Sequence, residues 1–154
     1  FGGVLFLLAR IAPRDATIIS IDLPGSKGGY PEWRKNLYKT FILQNQKLHL
    51  LKEDSHDRLV PLKVKEVLAG RKVDFLFIDG DHTYDGVKLD FTMYKDLVNK
   101  VGTVGLHDVA RHPADSGCGV DQFWNEIKNN FEYLEIIKDR NQGWGGIGLL
   151  YLAQ

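Results

Sequence analysis

The segment Val73-Asp74-Phe75-Leu76-Phe77-Ile78 constrains the fold more than any other stretch of the chain. It is near-continuously apolar and stops abruptly at Asp79-Gly80-Asp81-His82. A strand of that kind belongs in a parallel sheet whose two faces are both covered, because crossover helices then shield each side from water. The rest of the chain should therefore supply helices between strands, and its patterning does so.

Val4 to Ile11 is apolar and meets Pro13, which predicts a short buried helix. Thr17-Ile18-Ile19-Ser20-Ile21-Asp22 is rich in β-branched residues and ends at Leu23-Pro24-Gly25, a strand and its loop. A loop through Gly28-Gly29-Tyr30-Pro31 leads into a helix with Trp33, Leu37 and Phe41 on one face. Lys47 to Lys52 reads as a strand ending at Glu53-Asp54-Ser55, and Val60, Val64, Val67 and Leu68 mark the next helix, stopped by Gly70. After the 73–78 strand, Val87, Phe91, Tyr94 and Val98 mark a helix, and Thr103 to Leu106 a strand ending at His107-Asp108. Val120, Trp124, Ile127 and Phe131 mark one more amphipathic helix. Tyr133 to Lys138 and Ile147 to Leu152 are closing strands across a glycine-rich turn that lets them lie antiparallel at a sheet edge. The alternation predicts an α/β, doubly wound, mostly parallel sheet in one domain spanning 1–154, with an antiparallel last strand.

In such sheets ligands bind outside the carboxyl ends of the strands. All four relevant ends are acidic: Asp22, Asp54, Asp79 with Asp81 and His82, and His107 with Asp108. Asp22 can accept both hydroxyls of a ribose, or simply open the turn before Pro24-Gly25. Asp54 and Ser55 offer an acceptor and a backbone N–H to an adenine ring, or cap the helix that follows. Asp79-Gly80-Asp81-His82 delivers two carboxylates and an imidazole within four residues, and such charge calls for a cation or polar ligand, with helix capping by Asp81 as the plainer role. His107-Asp108 should lie beside Asp79, since parallel neighbours end at the same side of the sheet. Gathered carboxylates suit Mg²⁺, whereas an imidazole in the set shifts preference toward Mn²⁺, Fe²⁺ or Zn²⁺. His107 can equally act on protons or sit structurally buried. His49, His56 and His112 carry less weight, His56 being a candidate for the adenine pocket. The three tryptophans, Trp33, Trp124 and Trp144, are read as core or lid residues.

Composition narrows the partners. Lysines and arginines number 20, as do aspartates and glutamates, so the formal net charge is zero. A general nucleic-acid or anionic-membrane binder needs a positive surplus, so neither partner is expected. Cys118 is the only cysteine, which fits a reducing cytoplasm. No apolar run approaches the roughly 20 residues a bilayer-crossing helix requires, and the opening segment has neither a basic leader nor a small-residue cleavage site.

In order, these segments resemble the class I S-adenosylmethionine-dependent methyltransferases, and within them the macrocin and cephalosporin-tailoring type of O-methyltransferase. The resemblance rests on Asp-Gly-Asp-His-Thr-Tyr-Asp-Gly-Val at 79–87, Leu-His-Asp-Val at 106–109, Gly-Val-Asp-Gln-Phe-Trp at 119–124 and Gly-Trp-Gly-Gly-Ile-Gly at 143–148. It implies a Rossmann-like fold, S-adenosylmethionine as cofactor with Mg²⁺ or another divalent cation admitted, and a small-molecule hydroxyl acceptor, with room for a homo-oligomer. It also implies roles: Gly2 and Gly3 as the tail of the glycine-rich first loop, Asp22 for ribose, Asp54 and Ser55 for adenine, and Asp81 for the methionine portion. His82 stands where relatives have a proposed general base, and Asp79, His107 and Asp108 where they hold metal, although relatives often carry Asp-Asn or Glu-Asp at the last two. Relatives also have a strand, ending in an acid and a glycine, immediately before the position of Phe1. The chain, which does not begin with Met, is therefore expected to be an N-terminally incomplete part of a longer protein. The readings that compete are a non-catalytic methyltransferase-like module and an NAD(P)-dependent oxidoreductase.

Overall fold

Local sequence signals place most elements where the patterning puts them. In the computed structural model, which describes residues 2–25 and 30–153, the order is α1 (Gly3–Ile11), β1 (Thr17–Asp22), α2 (Glu32–Lys39), β2 (Lys47–Lys52), α3 (Val60–Leu68), β3 (Val73–Ile78), α4 (Tyr84–Tyr94), β4 (Val98–His107), α5 (Val120–Ile127), β5 (Glu132–Ile136) and β6 (Ile147–Tyr151). The expected loop glycines Gly28 and Gly29, like Phe1, lie outside the described residues. The chain divides into two compact units, 1–64 and 65–154.

In the first unit β1 and β2 pair in parallel, with Asp22 opposite Lys52 at their carboxyl ends. Gln46, buried just before β2, ties this pair to α1. Its amide donates to the carbonyls of Ala9 at 2.9 Å and Pro13 at 3.0 Å, satisfying acceptors that the end of a helix leaves open. Two sequence expectations fail in this unit. The helix 3–11 is not buried, since Ala9 alone among its residues is fully covered while Phe6, Leu7 and Ile11 are exposed. In α2 the side chain that goes inside is Tyr38, not Trp33 or Leu37, and the helix stops at Lys39 before Phe41. The reason is aromatic packing that spacing alone does not show: Tyr38 meets Tyr30 edge-on and Phe41 at a tilt, so the apolar face turns around that tyrosine.

In the second unit β3 and β4 run parallel, β6 pairs antiparallel with β4, and β5 pairs antiparallel with β6, giving the order β3-β4-β6-β5. Helix α4 buries Val87, Phe91 and Tyr94, and α5 buries Val120, Phe123, Trp124 and Ile127, each a stripe at helical spacing. All of these but Tyr94 join Val104 and Leu106 of β4 and Leu150 of β6 in one core. Trp124 is its largest member, fully buried, and a Cβ on Gly148 of β6 would stand 2.6 Å from its ring. That glycine lets indole and strand touch. Val98 starts β4 instead of closing α4, because the helix tightens into a 3₁₀ turn over Lys95–Leu97. Phe131 likewise falls beyond α5.

The segment 73–78 forms a strand, but it is not covered on both faces. Among the described residues it pairs only with β4, and Phe75 is exposed. Trp33 and Trp144 are also exposed, at 63% and 70%, so of the tryptophans only Trp124 is core. No helix among the described residues is long and apolar enough to cross a membrane.

Candidate active site at the ends of β3 and β4

Parallel pairing in the register Ile78↔Leu106 brings the next residues, Asp79 and His107, side by side. His107 Nδ1 lies 3.1 Å from Asp79 Oδ1 and 3.3 Å from Asp108 Oδ2. His82, three residues past Asp79, bridges the same two carboxylates: its Nδ1 is 2.7 Å from Asp108 Oδ2 and its Nε2 is 3.3 Å from Asp79 Oδ1. Two carboxylates and two imidazoles thus share one small volume. Burial pushes the Asp79 carboxyl up, but the close approach and charge of His107 and His82 outweigh it and hold the group well below the usual carboxylate range. Both histidines shift upward from their ordinary value, chiefly through contact with Asp79, against the opposing effect of burial.

Asp108 is the best-held member, its side chain 11% exposed. Its φ of 62° lies in the left-handed region, which aspartate tolerates better than most residues and which clusters at functional sites. The glycine-rich turn after β5 explains how this backbone is held. Gly145 donates its N–H to Asp108 Oδ1 at 2.8 Å, the Asp108 N–H donates to the Gly146 carbonyl, and the Ala110 N–H donates to the Gly145 carbonyl. Gly145 and Gly146 both have positive φ, and a Cβ on Gly146 would meet the Ala110 nitrogen at 3.1 Å. The turn read from sequence as a simple reversal is a clamp on the site.

Two further side chains were missed. Cys118 offers a sulfur within 4.8 Å of donor atoms of both His82 and Asp108. It comes from the loop before α5, which reaches the site because Gly119 donates its N–H to the His82 carbonyl at 2.8 Å. Burial raises its thiol pKa. His112 lies behind Asp108, almost fully buried. Neither had a sequence signal, since both sit on an irregular loop where spacing carries no information.

Asp81 stands apart from this cluster. Its Oδ1 accepts the Thr83 N–H at 2.9 Å, shaping the turn into α4, and a Cβ on Gly86 would collide with it. The cap of α4 is Thr83, whose side chain accepts from Gly86 N, so the capping role suggested for Asp81 is filled by its neighbour.

The ends of β1 and β2 belong to the other unit. Asp22 closes β1, and its carbonyl accepts the Glu53 N–H at 3.0 Å. Nearby, Tyr30 is buried with its hydroxyl 2.7 Å from Ser20 Oγ, and its pKa is pushed up to about 12, mainly by burial. Asp54 Oδ1 accepts the His56 N–H at 2.9 Å, a local turn and not a helix cap, since α3 begins at Val60. Ser55 follows it in that turn. Gly2, at φ 89°, packs where a Cβ would overlap the Tyr38 ring at 2.4 Å, whereas Gly3 opens α1 with nothing near its missing side chain.

Three donors, from Asp79, His82 and His107, lie within 4.8 Å of one another, as do those of His82, Asp108 and Cys118. His107 Nδ1 is a buried atom with two carboxylate oxygens close by but aligned with neither for a hydrogen bond. An orphaned nitrogen facing two carboxylates fits a divalent cation, and the nitrogen-rich set suits Mn²⁺, Fe²⁺ or Zn²⁺ better than Mg²⁺.

Fold and site define a class, and the sequence comparison agrees. The family profile described as a methyltransferase domain matches residues 1–109, and the chain belongs to that family. The fold is α/β and of the Rossmann-like methyltransferase kind. An uncharacterized protein of Acanthamoeba polyphaga mimivirus is 32% identical over 107 residues, covering 70% of this chain, and the chain spans about half (47%) the length of that relative. Among solved structures, the O-methyltransferase TomG from Streptomyces achromogenes, in complex with SAM, superposes with a TM-score of 0.54 at 18% identity, covering 99% of this chain and 79% of its own. The O-methyltransferase from Bacillus cereus, in complex with SAH, gives 0.56 at 18%, covering 97% and 80%. The MycE methyltransferase from the mycinamycin pathway, in complex with Mg and SAH, gives 0.57 at 14%, covering 96% and 47%. These likenesses establish the fold.

Proposed function

We propose that the chain transfers a methyl group from S-adenosylmethionine to a hydroxyl of a small molecule, with His82 as the base. The observation that carries this reading is the bridge of His82 between Asp108 and Asp79 at the ends of two adjacent strands. Methyl transfer from a sulfonium is an in-line displacement, so the protein's task is to position the oxygen and take its proton. Asp108 holds His82 through Nδ1, which fixes the ring, and in the neutral ring Nε2, 3.3 Å from Asp79 Oδ1, is the nitrogen that can accept the proton. Asp79, His107 and Asp108 would hold a divalent cation, which when bound supplies a lowered hydroxyl pKa. Gly2, Gly3, Asp22, Asp54, Ser55 and Asp81 are the residues assigned to the methyl donor, on their strand-end positions and the family resemblance. The single-domain reading of 1–154, a cytoplasmic location, argued from the lone Cys118, and assembly into a homo-oligomer belong to the same proposal.

The test incubates the full chain with S-adenosylmethionine and a panel of sugars, phenols and other hydroxylated acceptors, with and without Mg²⁺ or Mn²⁺. S-Adenosylhomocysteine should form only with an acceptor present, and His82→Ala should cost about 10² to 10⁴ in kcat. Full turnover by His82→Ala would remove the base assignment. Tight binding of S-adenosylhomocysteine without turnover on any acceptor would favour a non-catalytic module.

A further inference from the structure

Behind the carboxylate that orients His82 sits a histidine with no part in the chemistry above. The His112 side chain is 8% exposed, more buried than either His82 or His107. Its Nδ1 lies 2.7 Å from the Ala110 carbonyl oxygen, which fixes the ring plane, and its Nε2 stands 3.5 Å from Asp108 Oδ1. The two oxygens of Asp108 therefore face different company. Oδ1 looks backward to the Gly145 N–H and His112, while Oδ2 looks forward to His82 at 2.7 Å and His107 at 3.3 Å.

A carboxylate free to rotate about χ2 would present either oxygen to either side. Partners on Oδ1 remove that freedom, and one backbone N–H alone leaves the other side of Oδ1 open. We propose that His112 is a positioning residue: as the imidazolium, with its Nδ1–H given to the Ala110 carbonyl and its Nε2–H facing Asp108 Oδ1, it joins Gly145 in locking the carboxylate so that Oδ2 meets His82 and the metal-ligating group. It touches neither substrate nor methyl donor and acts only through Asp108. The inference rests on the functional reading above.

Two substitutions separate this role from simple support of the loop. His112→Asn keeps a donor near Ala110, whereas His112→Gln places its amide nearer the position of Nε2. In the full chain, His112→Ala should weaken binding of Mn²⁺ alone, measured by calorimetry, and lower kcat, each by about 10- to 100-fold, as loss of a partner that orients a ligand does. KM for S-adenosylmethionine should not move, and His112→Gln should recover most of the loss while His112→Asn does not. Wild-type values in His112→Ala, or equal rescue by Asn, would overturn the inference. If the wild-type chain neither binds Mn²⁺ nor transfers methyl groups, the functional reading fails by itself. The inference is then decided by a crystal structure of His112→Ala: a displaced Asp108 carboxylate supports it, and an unmoved one overturns it.

Discussion

The acidic strand ends of the two units look alike in sequence and behave differently in structure. At the ends of β3 and β4, side chains find partners over long sequence separations: Asp79 meets His107, His82 meets Asp108, and Asp108 accepts the Gly145 backbone N–H. At the end of β2, Asp54 engages the backbone two residues on. A carboxylate used in a local turn is doing what any aspartate does in a loop. Carboxylates drawn together against their mutual repulsion, and compensated by imidazoles, are arranged for something else. The long-range cluster carries the functional argument, and the first unit contributes on position alone.

That contrast is easiest to break through kinetics. Asp108→Asn keeps the acceptor for Gly145 but removes the charge that orients His82, and should lower kcat by about 10² to 10⁴. Asp22→Asn should instead raise KM for S-adenosylmethionine with kcat nearly unchanged, as expected when only uniform binding is lost. Steady-state kinetics on both variants check the pair, and the opposite split would reverse the roles of the two units. Stability gives the next largest difference. Trp124→Ala should lower unfolding free energy by about 3–5 kcal/mol, because the indole is fully buried against Gly148 and its Nε1 donates to Glu135. Trp33→Ala, at an exposed site in the other unit, should stay within about 0.5 kcal/mol. Urea denaturation measures both.

Titration sharpens the same contrast in the metal-free chain. His82 and His107 have raised folded pKa values, so their contribution is full below the unfolded value of 6.5 and is lost as pH rises through the folded values. Asp79 is depressed, so its contribution is present above 3.8 and is lost as pH falls. The cluster therefore stabilises most between about pH 4 and 6.5, and Tm should decline above that window. Asp79→Asn should flatten the decline, and an unchanged profile would mean that these half-exposed pairs add nothing. A small effect is also expected of Asp54→Ala, which loses one exposed turn hydrogen bond and should cost about 0.5–1 kcal/mol. If Asp54 also meets adenine, calorimetry will show weaker S-adenosylhomocysteine binding in that variant.

Much of this was legible in the chain itself. The strand boundaries of β1, β2 and β3, the helical stripes of α4 and α5, and the parallel placement of His107 beside Asp79 all followed from periodicity and from the rule that parallel neighbours end together. Local chemistry fixes such features, since a β-branched run or an i, i+4 stripe has few ways to bury itself. What periodicity could not show was who meets whom across loops. Tyr38 displaced Trp33 and Leu37 from the inside of α2, and Cys118, His112 and Gly145 came to surround Asp108.

The sequence by itself determined the elements, the class of fold and the acidic residues at the strand ends, because each is dictated by side chains only a few positions apart. Tertiary structure decided how those residues engage and which loop residues join them. The clamp on Asp108 joins residues 37 positions apart. Its strength lies in a left-handed backbone and a glycine-rich turn, features whose meaning appears only once the chain has closed on itself.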